Sequence, residues 1–91
     1  MNTDNNLNNQ PGWLDTSAIS ETLDAREMLA AGMHPLAEVI KRTSEMLPGH
    51  IFKLITSFTP MPLIEKVKAN GFEAYSVTVA DSEIHTFFCK T

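Results

Sequence analysis

A histidine directly before a proline is the first feature of this sequence that could do chemistry. His34 precedes Pro35, and Pro35 opens a stretch with helical periodicity. Proline suits the first position of a helix because its missing N–H would have no partner there. The positive end of the helix dipole disfavours an imidazolium, so we expect a neutral His34 that can accept a hydrogen bond or bind a metal. A lone histidine in this place more commonly belongs to a cap or loop, and we prefer that interpretation.

Further polar residues follow the first two predicted strands. Asp24 and Arg26 follow the first strand, and Ser57 and Thr59 follow the second. Ligands gather beyond the carboxyl ends of parallel strands, where helix N-termini also offer unpaired N–H groups to an anion or a thiolate. The candidate ligand or partner site therefore comprises Asp24, Arg26, His34, Pro35, Ser57 and Thr59. We predict no catalytic residue, and simpler roles compete: a local Asp24–Arg26 salt bridge, and Thr59 as a helix cap.

The single cysteine, Cys89, cannot form an internal disulfide. His85 lies four positions before it in a predicted strand, so the two share a face but lie roughly 13 Å apart. They cannot hold one metal ion between them. Cys89 follows Phe88, and we interpret it as a small buried hydrophobe. No metal site is predicted, His34 being the one weak candidate, and the cofactor stays open.

Composition excludes several classes of protein. The chain has 91 residues, enough for one domain with one modest core, and its net charge is −4. An acidic chain without a basic stripe argues against a nucleic-acid partner. No apolar run approaches the roughly 20 residues that cross a membrane, and the Asn-rich start is not a secretory signal. We expect a cytoplasmic protein.

The domain organisation follows from where apolar residues begin. Residues 1–16 are rich in Asn and predict a disordered tail, in which Trp13 with Leu14 forms an anchor onto the body. Residues 17–91 predict a single domain.

Within that domain the hydrophobic period changes several times. Alternation around Ile19 and Leu23 predicts a strand, and "EMLAAG" a connection with room for a short helical turn. Steps of three and four from Pro35 predict a helix that "LPG" ends at 47–49. "HIFKLITSF" predicts an interior strand with Phe52, Leu54 and Phe58 on one face.

The second half predicts one helix and two strands. "TPMPLIEKVKANG" is helical, with Thr59 as N-cap and Pro60 first, although Pro62 leaves open a start two residues later. Gly71 fits the left-handed residue after the last turn. "FEAYSVTV" and "EIHTFFCK" predict an antiparallel hairpin, because only "ADS" joins them.

This order, β-α-β-α-β-β, predicts an α/β (α+β) two-layer sandwich: a four-stranded mixed sheet with two helices on one face. The other face stays open in this arrangement. Its candidate residues are Ile51, Ile55, Tyr75, Val77 and Val79, mixed with Lys53 and Glu73. An apolar patch there predicts another protein, or a second copy in a dimer, as the partner.

Several short motifs resemble a known family. "LDAR" at 23–26, Gly32, Pro35, "LPG", "PL" at 62–63 and "GF" at 71–72 resemble the bacterial domain of unknown function 2249 family. That family is similar to the TusA/SirA-like sulfur carriers, and the resemblance spans roughly residues 20 to 90. It implies the same β-α-β-α-β-β sandwich.

The resemblance also argues against sulfur-carrier activity, which is the function that this family relation first suggests. The sulfur carriers have Cys-Pro at the start of the first helix, where this chain has His34-Pro35. Imidazole cannot form a persulfide, so carrier activity does not transfer. The sequence favours a binding or regulatory module on this fold. Two alternatives remain: a metal-, haem- or redox-linked site centred on His34, and a sulfur relay through Cys89.

Overall fold

The computed structural model describes residues 10–91. Residues 1–9 of the predicted tail lie outside the described part. A 3₁₀ turn (Thr16–Ala18) precedes the main elements, which are β1 (Ile19–Asp24), α1 (Arg26–Ala30), α2 (Leu36–Ser44), β2 (Ile51–Thr56), α3 (Met61–Ala69), β3 (Phe72–Ala80) and β4 (Glu83–Lys90). Among the described residues, no helix is long and apolar enough to cross a membrane.

The four strands form one mixed sheet in the order β1-β2-β4-β3. β1 runs parallel to β2, and β4 runs antiparallel to both β2 and β3. The predicted two-layer sandwich is confirmed, with one helix more than predicted. The additional helix is α1, which occupies the connection where the sequence left room for a helical turn.

The main core lies between the helices and one face of the sheet. Phe52 and Phe88 are paired across β2 and β4 at its centre, and both are fully buried. The helices cover them with Val39 of α2 and Val67 of α3. All three helices therefore pack on the same face of the sheet.

The second face of the sheet carries a smaller apolar cluster. Its buried members are Ile51, Phe87 and Cys89. The strand register puts six predicted residues on this face: Ile51, Lys53, Ile55, Glu73, Tyr75 and Val77. Val79 lies where the register shifts, and it is 48% exposed. Trp13, Leu14, Ala18 and Ile19 pack against the cluster, so the chain itself covers part of the face predicted to be open.

The start of α2 differs from the prediction by one residue. Pro35 is the N-cap and Leu36 is the first helical residue, with the Val39 N–H donating to the Pro35 carbonyl at 2.9 Å. His34 consequently lies one position before the cap. The difference is small because proline's φ is acceptable on either side of the boundary.

The start of α3 contradicts the predicted cap. Pro60 is the N-cap, Pro62 lies in the first turn, and no side chain caps the helix. Thr59 instead accepts a hydrogen bond through its backbone carbonyl, from the Met61 N–H. The helix begins one residue later than predicted, which puts Thr59 before the cap, so the predicted Thr59 side-chain cap is wrong.

β2 is also shorter than predicted. It ends at Thr56, and Phe58 lies in the following loop with 51% of its surface exposed. The prediction that Phe58 continues the buried face of Phe52 and Leu54 is therefore wrong. At the far end of α3, Gly71 has a φ of 91° and adopts the left-handed conformation predicted for it.

Candidate functional site

An apolar cleft of about 310 Å³ opens where α2 and α3 begin. It lies beyond the carboxyl end of β2, the place where sheets of this kind bind ligands. Its walls come from α1, from the starts of α2 and α3, and from the loop after β2. The lining residues are Leu29, His34, Pro35, Leu36, Thr56, Phe58, Pro60, Pro62 and Leu63.

Three prolines shape this cleft. Pro35 and Pro60 are buried at the two helix starts, and Pro62 stands in the first turn of α3. A pyrrolidine ring fixes φ and offers no N–H donor, so these walls are stiff as well as apolar. Thr56 does not alter this character, because its hydroxyl donates to the Phe58 carbonyl at 2.6 Å. The imidazole of His34, which is exposed, is the other polar side chain of the lining.

The structure divides the predicted site residues into two groups. His34 and Pro35 line the cleft. Ser57 and Thr59 are exposed loop residues that alternate with the residues lining it. The loop therefore contributes its apolar side chains to the cleft and turns its hydroxyl groups to solvent.

Asp24 and Arg26 belong to a different cluster, on the second face of the sheet. The Arg26 Nη2 lies 2.6 Å from Asp24 Oδ2, and its Nη1 lies 3.5 Å from Glu83 Oε1. The Glu83 carboxylate also contacts His85, with 2.8 Å between Oε2 and Nε2. Ion pairs and a hydrogen bond connect these four side chains and join β1 to β4. His34 lies on the helix side and takes no part in these contacts.

Two pKa shifts describe the electrostatics of the second face. Hydrogen bonds from Arg26 lower the pKa of Asp24, and the same contact raises the pKa of Arg26. Burial, followed by the charge of Glu73, raises the pKa of Cys89. A raised thiol pKa disfavours the thiolate, which is the nucleophilic form. Cys89 therefore has the environment of a packed hydrophobe.

Metal ligands do not converge in the part of the chain that the structure describes. Among residues 10–91, no group of three or more His, Cys, Asp or Glu side chains comes close enough to hold an ion. His85 and Cys89 do share a face as predicted, opposite Ile55 and Ile51 respectively, and are separated along β4.

Sequence reasoning missed the apolar half of the site. Phe58 and Leu29 were not among the predicted site residues, and both line the cleft. Around it, Met33 and Met61 are large exposed hydrophobics at 56% and 52%. The available signal was "SFTPMP": large apolar residues among the prolines of a helix start, where polar caps are usual.

Comparison with known proteins gives the family. A family model described as an uncharacterized conserved protein, DUF2249, matches residues 22–90. The chain belongs to this family. The DUF2249 match runs from β1 to the end of β4, so it contains the whole cleft, while Trp13 lies outside it. No curated protein and no solved structure matches the chain. The likeness to the sulfur carriers stays a prediction.

Proposed function

We propose that this DUF2249 protein is a binding module that receives an apolar side chain of another protein in the cleft between α2 and α3. The observation that carries the proposal is the lining of the cleft, in which seven of nine residues are apolar and one of the two polar groups is bonded internally. Such a lining can bury the apolar surface of a ligand, and it offers few polar contacts. It suits recognition better than bond-breaking chemistry.

The exposed residues around the cleft support a protein as the ligand. Phe58 is half exposed at the wall, and Met33 and Met61 are similarly exposed on the adjoining segments. Covering apolar surface contributes roughly 25 cal/mol per Å², so these side chains are placed to gain from a partner. Methionine is flexible and adapts to varied partner surfaces.

His34 supplies a polar contact at the edge of this apolar site. Its imidazole is exposed at the cleft and makes no hydrogen bond to another described residue. One polar group beside an apolar pocket fixes the orientation of what enters it. We assign His34 this orienting role in binding.

Site-specific photocrosslinking tests the proposal. A photoreactive phenylalanine analogue at position 58 of the full chain should capture a protein that the same analogue at position 68 does not. Lys68 is the matched control, because it is exposed on α3 outside the cleft. The captured protein is then purified, and its affinity for the chain is measured by titration calorimetry.

The affinities decide the outcome. We expect Phe58→Asp to lower the affinity for the partner by about tenfold or more, because the substitution buries a charge in the apolar contact. Lys68→Asp should bind like the parent chain. Equal affinity of the parent and Phe58→Asp would contradict the proposal, as would equal capture at both positions.

A haem site centred on His34 is the second candidate. A haem needs one axial imidazole beside an apolar surface, which the cleft offers, whereas a bare ion needs several side-chain ligands. Titration of the parent chain and His34→Ala with haem decides. Binding that is lost in the variant would support this candidate, and equal binding in both, or in neither, would reject it.

A further inference from the structure

β3 is an edge strand with an unusual amount of unprotected backbone. It is nine residues long, and β4 is its only neighbour in the sheet formed by the described residues. Positions 74–80 contain no charged residue and no proline. An edge of this kind presents a row of unpaired N–H and C=O groups to any extended strand.

The opposite edge of the sheet is protected. β1 contains a register shift between Ile19 and Glu21. It also carries two acidic residues held in ion pairs, Glu21 with Arg42 and Asp24 with Arg26. Irregularity and charge are the devices by which natural sheets prevent edge pairing. Only the last residues of β3 have such an irregularity, between Thr78 and Ala80.

We propose that β3 pairs antiparallel with β3 of a second copy of the chain, with Ser76 opposite Ser76 of that copy. The pairing joins two four-stranded sheets into one eight-stranded sheet about a two-fold axis. The helices of both copies stay on the same side, and both clefts remain open.

The side chains of β3 complement themselves in this register. Tyr75 of each copy lies opposite Val77 of the other, on the second face of the sheet. Aromatic and β-branched residues make favourable cross-strand pairs. Each copy already packs Tyr75 and Val77 against its buried cluster of Ile51, Phe87 and Cys89, so the two clusters become one continuous apolar layer.

Charge is compatible with this register and disfavours the register with Val77 on the axis. With Ser76 on the axis, Glu73 lies opposite Val79, and no two carboxylates meet. A shift that puts Val77 on the axis places Glu73 opposite Asp81 of the other copy. Like charges directly opposite each other destabilise a strand pair.

Sedimentation of the full chain tests the dimer. One strand pair buries less surface than a standard interface, so we expect reversible dimerisation with a dissociation constant in the micromolar range. Val77→Lys should weaken the dimer by about tenfold or more, because it adds a charge at the edge. Thr22→Lys is the matched control, since Thr22 is exposed on β1 on the same face, and it should dimerise like the parent.

A disulfide trap tests the register without depending on a destabilised variant. Under mild oxidation with oxidised glutathione, Ser76→Cys should become a covalent dimer, because directly opposed side chains come within bonding reach. Thr78→Cys should crosslink poorly, since its two copies would lie roughly 13 Å apart along the strands. Thr22→Cys reports any crosslinking at the other edge, and the parent chain reports that of Cys89.

Several results would overturn the proposal. A parent chain that sediments as a monomer throughout the micromolar and submillimolar range has no such dimer. A dimer that Thr22→Lys weakens as much as Val77→Lys has its interface elsewhere. Equal trapping of Ser76→Cys and Thr22→Cys would likewise reject pairing through β3.

Discussion

At the scale of single residues, Asp24 is held by two nitrogen atoms of one arginine. The Arg26 Nε and Nη2 donate to its two carboxylate oxygens at 2.9 and 2.6 Å. These bonds favour the charged form and lower the pKa of Asp24 in the folded state. The stabilisation is therefore present above the ordinary carboxyl pKa and is lost as the pH falls through the lowered one. Both side chains are exposed, so the contribution to stability is small.

Removing the arginine should restore the ordinary behaviour of this carboxyl group. In Arg26→Gln we expect the pKa of Asp24 to rise, measured by NMR titration of its carboxyl carbon. Asp15 is the internal control, because hydrogen bonds from Ser17 lower its pKa, and it should titrate unchanged. An Asp24 that titrates identically in both proteins would show that the ion pair does not form in solution.

The Cys89 thiol gives a second prediction at this scale. It is 7% exposed, and burial raises its pKa. Alkylation by iodoacetamide at neutral pH should therefore be slow in the native protein and fast after denaturation, because the thiolate is the reacting form. Native labelling as fast as in the denatured chain would contradict this structure and revive the sulfur-relay alternative.

At the scale of elements, the two interior strands carry most of the packing. Phe88 of β4 is fully buried, whereas Phe58, just beyond β2, is half exposed. We expect Phe88→Ala to lower the free energy of unfolding by about 3–5 kcal/mol, through lost burial and the cavity left behind. Phe58→Ala should cost about 1 kcal/mol or less. Urea denaturation of both variants measures the difference, and similar losses would place Phe58 in the core.

The elements themselves were largely predictable from sequence, because each depends on a local period. Alternation placed Phe52 and Leu54 on one face of β2 and Ile51 and Ile55 on the other, as the structure confirms. Prediction failed at an element end. Nothing local states that β2 stops at Thr56, since Phe58 continues the alternation into a loop.

The candidate site was predictable only in its position. Its place beyond β2 follows from connectivity, and His34 follows from its neighbour Pro35. Which residues make up the site does not follow from connectivity. Arg26 turns to Glu83, a residue of β4 far along the chain, and this contact depends on the order of strands in the sheet. Sequence spacing carries no information about that order.

At the scale of the whole molecule, the segment before β1 completes the sandwich. Trp13 and Leu14 pack over Ile51, Phe87 and Cys89, on the face that no helix covers. This small third layer lets a sheet with apolar residues on both faces stay shielded although all its helices lie on one side.

Trp13→Ala should therefore uncover the second face. We expect a loss of about 1–2 kcal/mol in the free energy of unfolding, because Trp13 is only partly buried. A loss of stability by itself raises the population of the unfolded chain, and with it the alkylation rate of Cys89, tenfold per 1.4 kcal/mol. In Trp13→Ala the native Cys89 should be alkylated faster than this relation gives. Val39→Ala is the control, because it weakens the helix-side core, and its alkylation rate should follow its stability. If the alkylation rate in Trp13→Ala rises only as much as its loss of stability explains, Trp13 does not shield the thiol.

The position of β4 affects how the nascent chain forms its sheet during translation. β4 follows every other described element in sequence, yet it lies between β2 and β3. While a ribosome makes the chain, β3 emerges before the strand that joins it to the sheet, and both of its edges are bare. The tight turn between Ala80 and Glu83 shortens this interval to roughly ten residues of translation, about one second. The hairpin thus limits how long β3, whose residues 74–80 carry no charge, stays unpaired beside neighbouring nascent copies of itself.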